Sequence, residues 1–331
     1  MKKYIVTGLI LALFVWLSVM ALVPSVDPYS LDNTLWNGLS TASRELKLSY
    51  TTISNLNSLG NNSVVFVVGP SRQPSDYEIE ALRNYVYSGG YLVLMDECGY
   101  INSLINSLGL NASITGELLR DPLYYWRSSA LPIVNAFVGN MSFKVYLNYA
   151  STINHTGGIT LASSSYFSYL DLNNSGIHEP NEPSGKMDVV VLYNNVGRGK
   201  VLIFSDSDVL INSMINQGDN LIFVKSLISN DCRAYVLRDL ISTGTYTIFK
   251  TSFLLFYAFL FNSSVKYPFV ALLLVTSYFL GKATYKELAS MFKVKHKYEN
   301  VDKIVKRHPG WDKSTLKKIA DEVETNGELN E

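Results

Sequence analysis

The segment Asp171-Leu172-Asn173-Asn174-Ser175-Gly176-Ile177-His178-Glu179-Pro180-Asn181-Glu182 carries the most specific chemistry in this chain. Laid on a twelve-residue calcium loop, it puts oxygen-bearing side chains at positions 1, 3, 5, 9 and 12, from Asp171, Asn173, Ser175, Glu179 and Glu182. Gly176 falls at position 6, where the loop must turn sharply, and Ile177 offers its carbonyl at position 7. Calcium takes six to eight hard oxygens, so the spacing predicts one bound Ca2+ of modest affinity. Ser175 stands where an Asp is usual, and Pro180 and Pro183 bar the helix that usually follows. An ordinary Asn/Gly/Pro surface loop is the competing reading.

A second set of chemical groups follows the apolar runs that read as strands. Gly69-Pro70-Ser71-Arg72, Asp96-Glu97-Cys98-Gly99 and Ser205-Asp206-Ser207-Asp208 stand at three such ends. In open α/β sheets ligands bind beyond the carboxyl ends of strands. Cys98 stands where a nucleophile would, and Asp96, Glu97, Asp206 and Asp208 are acid/base candidates. A thiol or hydroxyl nucleophile needs a base within hydrogen-bond reach. The two histidines between the apolar ends, His155 and His178, belong to other motifs, and Glu97 occupies the place of an elbow's small residue. Acids at strand ends also simply cap the next helix. The balance leans away from catalysis, and no motif points to a nucleotide or organic cofactor.

The elements that would position these groups are legible in part. Val64–Val68 and Tyr91–Met95 read as buried strands, with a helix between them opened by the capping box Ser75-Asp76-Tyr77-Glu78 and closed at Gly89-Gly90. Strand, helix and strand in so short a span predict a right-handed βαβ unit. A helix follows over Ile101–Leu108. Met187–Tyr193 and Lys200–Phe204, about the turn Asn194–Gly199, predict a hairpin, and Leu221–Ile228 a last helix. Residues Asn111–Ser165 read only as strands and loops.

Length and charge bound the class. The 28 basic and 28 acidic residues balance, which favours neither nucleic acid nor acidic substrates as partners. Tyr4–Val23 and Phe253–Gly281 are apolar and flanked by lysines on their outer sides. That pattern predicts a cytoplasmic start (1–3), a transmembrane anchor (4–23), an extracytoplasmic α/β domain (24–248), an interfacial aromatic segment (249–264), a transmembrane helix (265–281) and a cytoplasmic helical tail (282–331). The tail reads as two helices, opened by the box Thr284–Glu287 and by Asp312. Such a chain sits in the cell membrane against lipid, with a protein partner outside or at the tail. N-glycosylation sequons at Asn61, Asn111, Asn140, Asn154, Asn173 and Asn262 all precede Lys282. With the abundant Tyr, Asn and Ser they suit an archaeal surface protein. Cys98 and Cys232 are able to pair in such a setting or to remain free.

The run from Val64 to Leu108, the start at Asn33-Thr34 and Trp36–Ser40, and the end from Gly197 to Asn220 resemble an uncharacterised archaeal and bacterial domain-of-unknown-function family. The resemblance covers about Val26–Ser229 and includes the D-x-N-x-x-G…E-P loop. It implies a flavodoxin-like, class I glutamine amidotransferase-like fold with a mostly parallel sheet, related to domains of gliding-motility-type ABC transporter accessory proteins. The amidotransferase triad has no matching positions. The implied role is therefore a non-catalytic binding or scaffold domain, in a MoxR-ATPase-associated or transporter-like assembly. The alternative is a hydrolase or amidotransferase relative acting through Cys98 or the strand-end acids.

Overall fold

The computed structural model describes residues 8, 11–12, 15–19, 22, 24–60, 62–228, 232–262, 266–292 and 301–329. It divides into two compact units, residues 1–254 and 255–331.

The first unit is built on a large mixed sheet. Its parallel half runs, in spatial order, β1 (Ser49–Thr51), β13 (Arg233–Leu237), β2 (Ser63–Val68), β3 (Tyr91–Met95) and β12 (Gly199–Phe204). From β12 the sheet continues antiparallel through β11 (Asp188–Val196), β9 (Ile159–Ser163), β6 (Ile133–Val138) and β7 (Met141–Tyr146). Two short strands, β4 (Ala112–Ile114) and β8 (Ile153–His155), pair with each other and hang from β11. A separate ribbon joins β5 (Leu118–Arg120) to β10 (Tyr169–Asp171).

The apolar runs become central strands because both faces are covered. In β2, Val64, Phe66 and Val68 enter one core cluster, and Val65 and Val67 the other. β3 and β12 divide their side chains the same way, which is why neither run alternates with polar residues. Helices α1 (Ser40–Leu46) and α4 (Asn220–Leu227) pack on the first face through Ala42, Phe223 and Val224. Helices α2 (Asp76–Tyr87) and α3 (Asn102–Ser107) pack on the second through Leu82, Val86, Leu104 and Ile105. The capping box forms, with the Ser75 N–H donating to Glu78 Oε2 at 2.8 Å. Arg72 grips the same carboxylate, and holds it well below the usual range, at about 2. The β11–β12 hairpin closes through left-handed Asn195 (φ 64°) and Gly197 (φ 61°), with a register shift between Asn194 and Val196.

Three expectations are corrected here. The sheet is not mostly parallel, and so not flavodoxin-like or amidotransferase-like in outline: everything beyond β12 is antiparallel, because residues 111–196 fold into a wing of hairpins inserted between β3 and β12. The expected flanking transmembrane helices are also not found. Among the described residues no helix is long and apolar enough to cross a membrane. Residues 4–23 lie in large part outside the described residues, and the apolar C-terminal run is divided between α5 (Thr245–Asn262) and α6 (Lys266–Phe292). Finally, α6 runs on through Lys282, Lys286 and Glu287, so Thr284 opens no new helix.

The second unit continues after α6 with α7 (Val301–Arg307) and α8 (Lys313–Leu329). Asp312 caps α8, accepting from the N–H groups of Ser314 and Thr315.

Candidate functional site

Parallel register brings the expected strand ends level. Val68 pairs with Met95 and Met95 with Phe204, so Gly69, Asp96 and Ser205 leave the sheet side by side. Ser207 ties the three together. Its hydroxyl donates to the Met95 carbonyl at 2.8 Å and receives the Gly69 N–H at 3.0 Å, while its own N–H donates to Glu97 Oε2 at 3.0 Å.

The carboxylates are engaged by loop donors. Asp96 accepts the N–H groups of Cys98 at 2.8 Å and Ile101 at 3.0 Å, which turns the chain into α3. Asp206 accepts those of Asp208 and Asn148, both at 2.8 Å. Asp208 receives the Tyr29 hydroxyl at 2.7 Å and the Asn148 amide at 2.6 Å. Tyr29 reaches it by lying across Gly69, where φ is 51° and a Cβ would stand 2.1 Å from the ring. Only glycine fits there.

Burial governs the electrostatics. It raises the Asp96 carboxyl to about 6, and the Asp208 carboxyl also to about 6 with the Glu97 charge adding to it. Asp206, fully enclosed, is held well above the usual carboxylate range by burial first and then by the Asp208 charge. Burial first, then the charges of Glu97, Asp96 and Asp208, push the Cys98 thiol up to about 11. Tyr29 is likewise held in its neutral, donating form. At neutral pH Asp96 and Asp208 are mostly ionised and accept hydrogen bonds, while the Cys98 thiol stays protonated.

Of the residues expected here, the structure therefore assembles Asp96, Glu97, Cys98, Asp206 and Asp208. Tyr29, Asn148 and Ser207 complete the cluster. Ser207 was visible only as the residue between two acids, and Tyr29 and Asn148 carry no local signal. Cys98 and Cys232 are both free thiols.

The 171–182 loop is a separate construction. Asp171 Oδ1 accepts the Ser175 N–H and Oδ2 the Gly176 N–H, both at 2.9 Å, and Oδ2 also receives the Arg120 guanidinium. Glu182 closes the other side, accepting the N–H groups of Leu172 and Glu179 at 2.9 Å each. The Asn173 amide donates to Glu179 at 3.0 Å, and the Ser175 hydroxyl to the Ile177 carbonyl at 3.0 Å. The expected ligands thus lie in one loop, but donors rather than a cation take their oxygens. Among the described residues no group of three or more His, Cys, Asp or Glu is arranged to hold a metal. Arg120 and the loop's own N–H groups thus meet the Asp171 oxygens that a cation would use as its first ligand. The melting temperature is accordingly expected to be the same in calcium and in chelator; a calcium-dependent rise lost in Asp171→Ala would show that the cation displaces Arg120.

Asn111, Asn140, Asn154 and Asn173 are exposed, while Asn61 lies outside the described residues.

Residues 32–228 match the family described as Domain of unknown function (DUF4350). The chain belongs to that family. An uncharacterized protein in the nifH1 5' region of Methanothermococcus thermolithotrophicus is 35% identical over 94 residues, which cover 27% of this chain and 95% of that one. Among solved structures, the mmIFT52 N-terminal domain aligns with 55% of this chain and 83% of its own length, at 14% identity and a TM-score of 0.42. A putative ThuA-like protein from Bacteroides uniformis aligns with 53% of this chain and 71% of its own length, at 15% identity and a TM-score of 0.28. Likenesses this loose bear on neither mechanism nor ligand. The matched range takes in the 171–182 loop and the strand-end residues from Gly69 to Asp208, while Tyr29 and β13 lie outside it.

Proposed function

We propose that this DUF4350 domain is a non-catalytic binding module whose strand-end carboxylates organise loops rather than perform chemistry. The observation that carries the reading is the surroundings of Cys98. Burial and then the charges of its carboxylate neighbours raise the thiol to about 11, when a nucleophile needs it lowered. His155, a potential base, is instead bound to Asp188 at 2.9 Å, and His178 lies in the 171–182 loop. Asp96 and Asp206 each spend both oxygens on backbone N–H groups, as capping acids do.

One feature favours hydrolysis as the second reading: buried Asp206 and half-buried Asp208 face each other with raised carboxyls, as an acid/base couple would. Alkylation of Cys98 by iodoacetamide in a Cys232→Ser background tests the first reading. Its rate is expected to climb with pH towards a midpoint near 11. A midpoint below neutrality would mark an activated thiol and overturn the non-catalytic assignment.

A further inference from the structure

The antiparallel wing leaves one face of the sheet uncovered, and that face has a definite composition. Val134, Ala136, Phe143 and Val145 turn inwards to the core, so the alternate residues of β6 and β7 turn out. Register then sets a row of polar side chains across three strands: Lys144 on β7 opposite Asn135 on β6, and Asn135 opposite Ser163 on β9. The neighbouring pairs are Phe137 with Ser142 and Ile133 with Tyr146, so rings flank the polar row on both sides. Tyr124 from one loop and Tyr166 and Phe167 from another complete a groove of about 790 Å³. Tyr166 is 77% exposed, Phe137 57% and Phe167 56%. An ordinary solvent face does not hold so many rings in the open.

Charge narrows the occupant. Lys144 and Lys186 both line the groove, and its lining includes no carboxylate. Among the described residues neither lysine takes part in an ion pair. Asp188, just beyond Thr160, is tied to Thr160 and to the His155 ring.

We infer that this groove binds an acidic polysaccharide: rings stack on the C–H faces of the sugars, Asn135 and Ser163 bond hydroxyls, and Lys144 and Lys186 meet the anionic substituents. Two rival ligands fit less well. A strand-like peptide would need the free edge of β7, but Asp219 and Asn220 already fill it. They accept the N–H groups of Lys144 and Tyr146 at 2.8 Å each, and return donors to both carbonyls. Single-stranded nucleic acid also stacks on rings, yet with a phosphate at every step it needs a longer basic track than Lys144 and Lys186 provide.

The inference rests on the binding-module reading and deepens it. Titration calorimetry on the full chain tests it, with hexasaccharides of galacturonate, hyaluronate and chondroitin sulfate as probes. A neutral galactan hexasaccharide and an oligothymidylate serve as comparisons. At least one acidic series is expected to bind more tightly than either comparison. Tyr166→Ala and Phe167→Ala, on an exposed loop, should each weaken binding about tenfold without changing the melting temperature. Lys144→Gln with Lys186→Gln should abolish the preference for acidic over neutral sugar. Failure of all three acidic series, tighter binding of the oligothymidylate, or affinity unchanged in the Tyr166→Ala/Phe167→Ala variant would overturn the assignment. Release of shortened fragments from a bound probe would instead overturn the non-catalytic reading and leave the groove standing.

Discussion

Replacing Arg120 by leucine is expected to destabilise the domain by about 3–5 kcal/mol, the usual cost of stranding a buried charge. Arg120, its side chain 15% exposed, is paired with Asp171, whose side chain is fully buried. Burial by itself would raise the Asp171 carboxyl; the Gly176 N–H, Arg120 and the Ser175 N–H outweigh it and hold the group below its ordinary value. The pair also joins β5 to β10, so the loss should be felt in the short ribbon that carries the 171–182 loop. Urea unfolding of the wild type, Arg120→Leu, Asp171→Asn and the double variant measures this. The single Arg120→Leu change should be the costliest, and Asp171→Asn on top of it should recover part of the loss, since no unpaired charge then remains. A single variant within about 0.5 kcal/mol of wild type would show that the pair is exchangeable with water.

Stability is expected to fall as pH rises from about 4 to about 7. Asp96 and Asp208 have folded values near 6, above the 3.8 of the free carboxyl. Between those values the folded chain keeps protons that the unfolded chain has released, so raising the pH favours unfolding. The contribution of each group is therefore complete below about pH 4 and lost through about pH 6. It amounts to about 3 kcal/mol per carboxyl at most. Asp206 acts in the same direction. Glu78 and Asp171, both lowered, act oppositely, and their contributions are lost only as pH falls below the ordinary carboxylate range. Denaturant midpoints across this pH range test the sign. Asp208→Asn should flatten the slope and raise stability at pH 7 more than at pH 4. A flat wild-type profile, or a variant with the wild-type slope, would mean that the cluster is solvated and not buried.

Elements whose signals are local were legible before the fold was known. β2, α2 and β3 follow from uninterrupted apolar runs and a capping box, since a strand buried on both faces must be apolar throughout and a helix start must satisfy its free N–H groups. The β11–β12 hairpin follows from a turn needing positive φ at Asn195 and Gly197. Membership of an uncharacterised domain family was legible from the same stretches. Wherever the partner lay far along the chain, only the tertiary structure decided. Apart from β11, the inserted wing has short, half-buried strands without long periodicity, and β13 is defined by slipping between β1 and β2 from a distance. The acids at the strand ends were visible, but their roles depended on Tyr29 and Asn148 arriving from remote segments. The 171–182 loop reads as a calcium site because ligand spacing is a property of sequence; the contact of Asp171 with Arg120, fifty-one residues before it, is not. The apolar termini read as membrane spans by hydropathy, whereas the helices actually formed divide the C-terminal run and take in charged residues. Local propensity and pattern are written residue by residue, but the charge, burial and partners of a site are set by whatever the fold brings beside it.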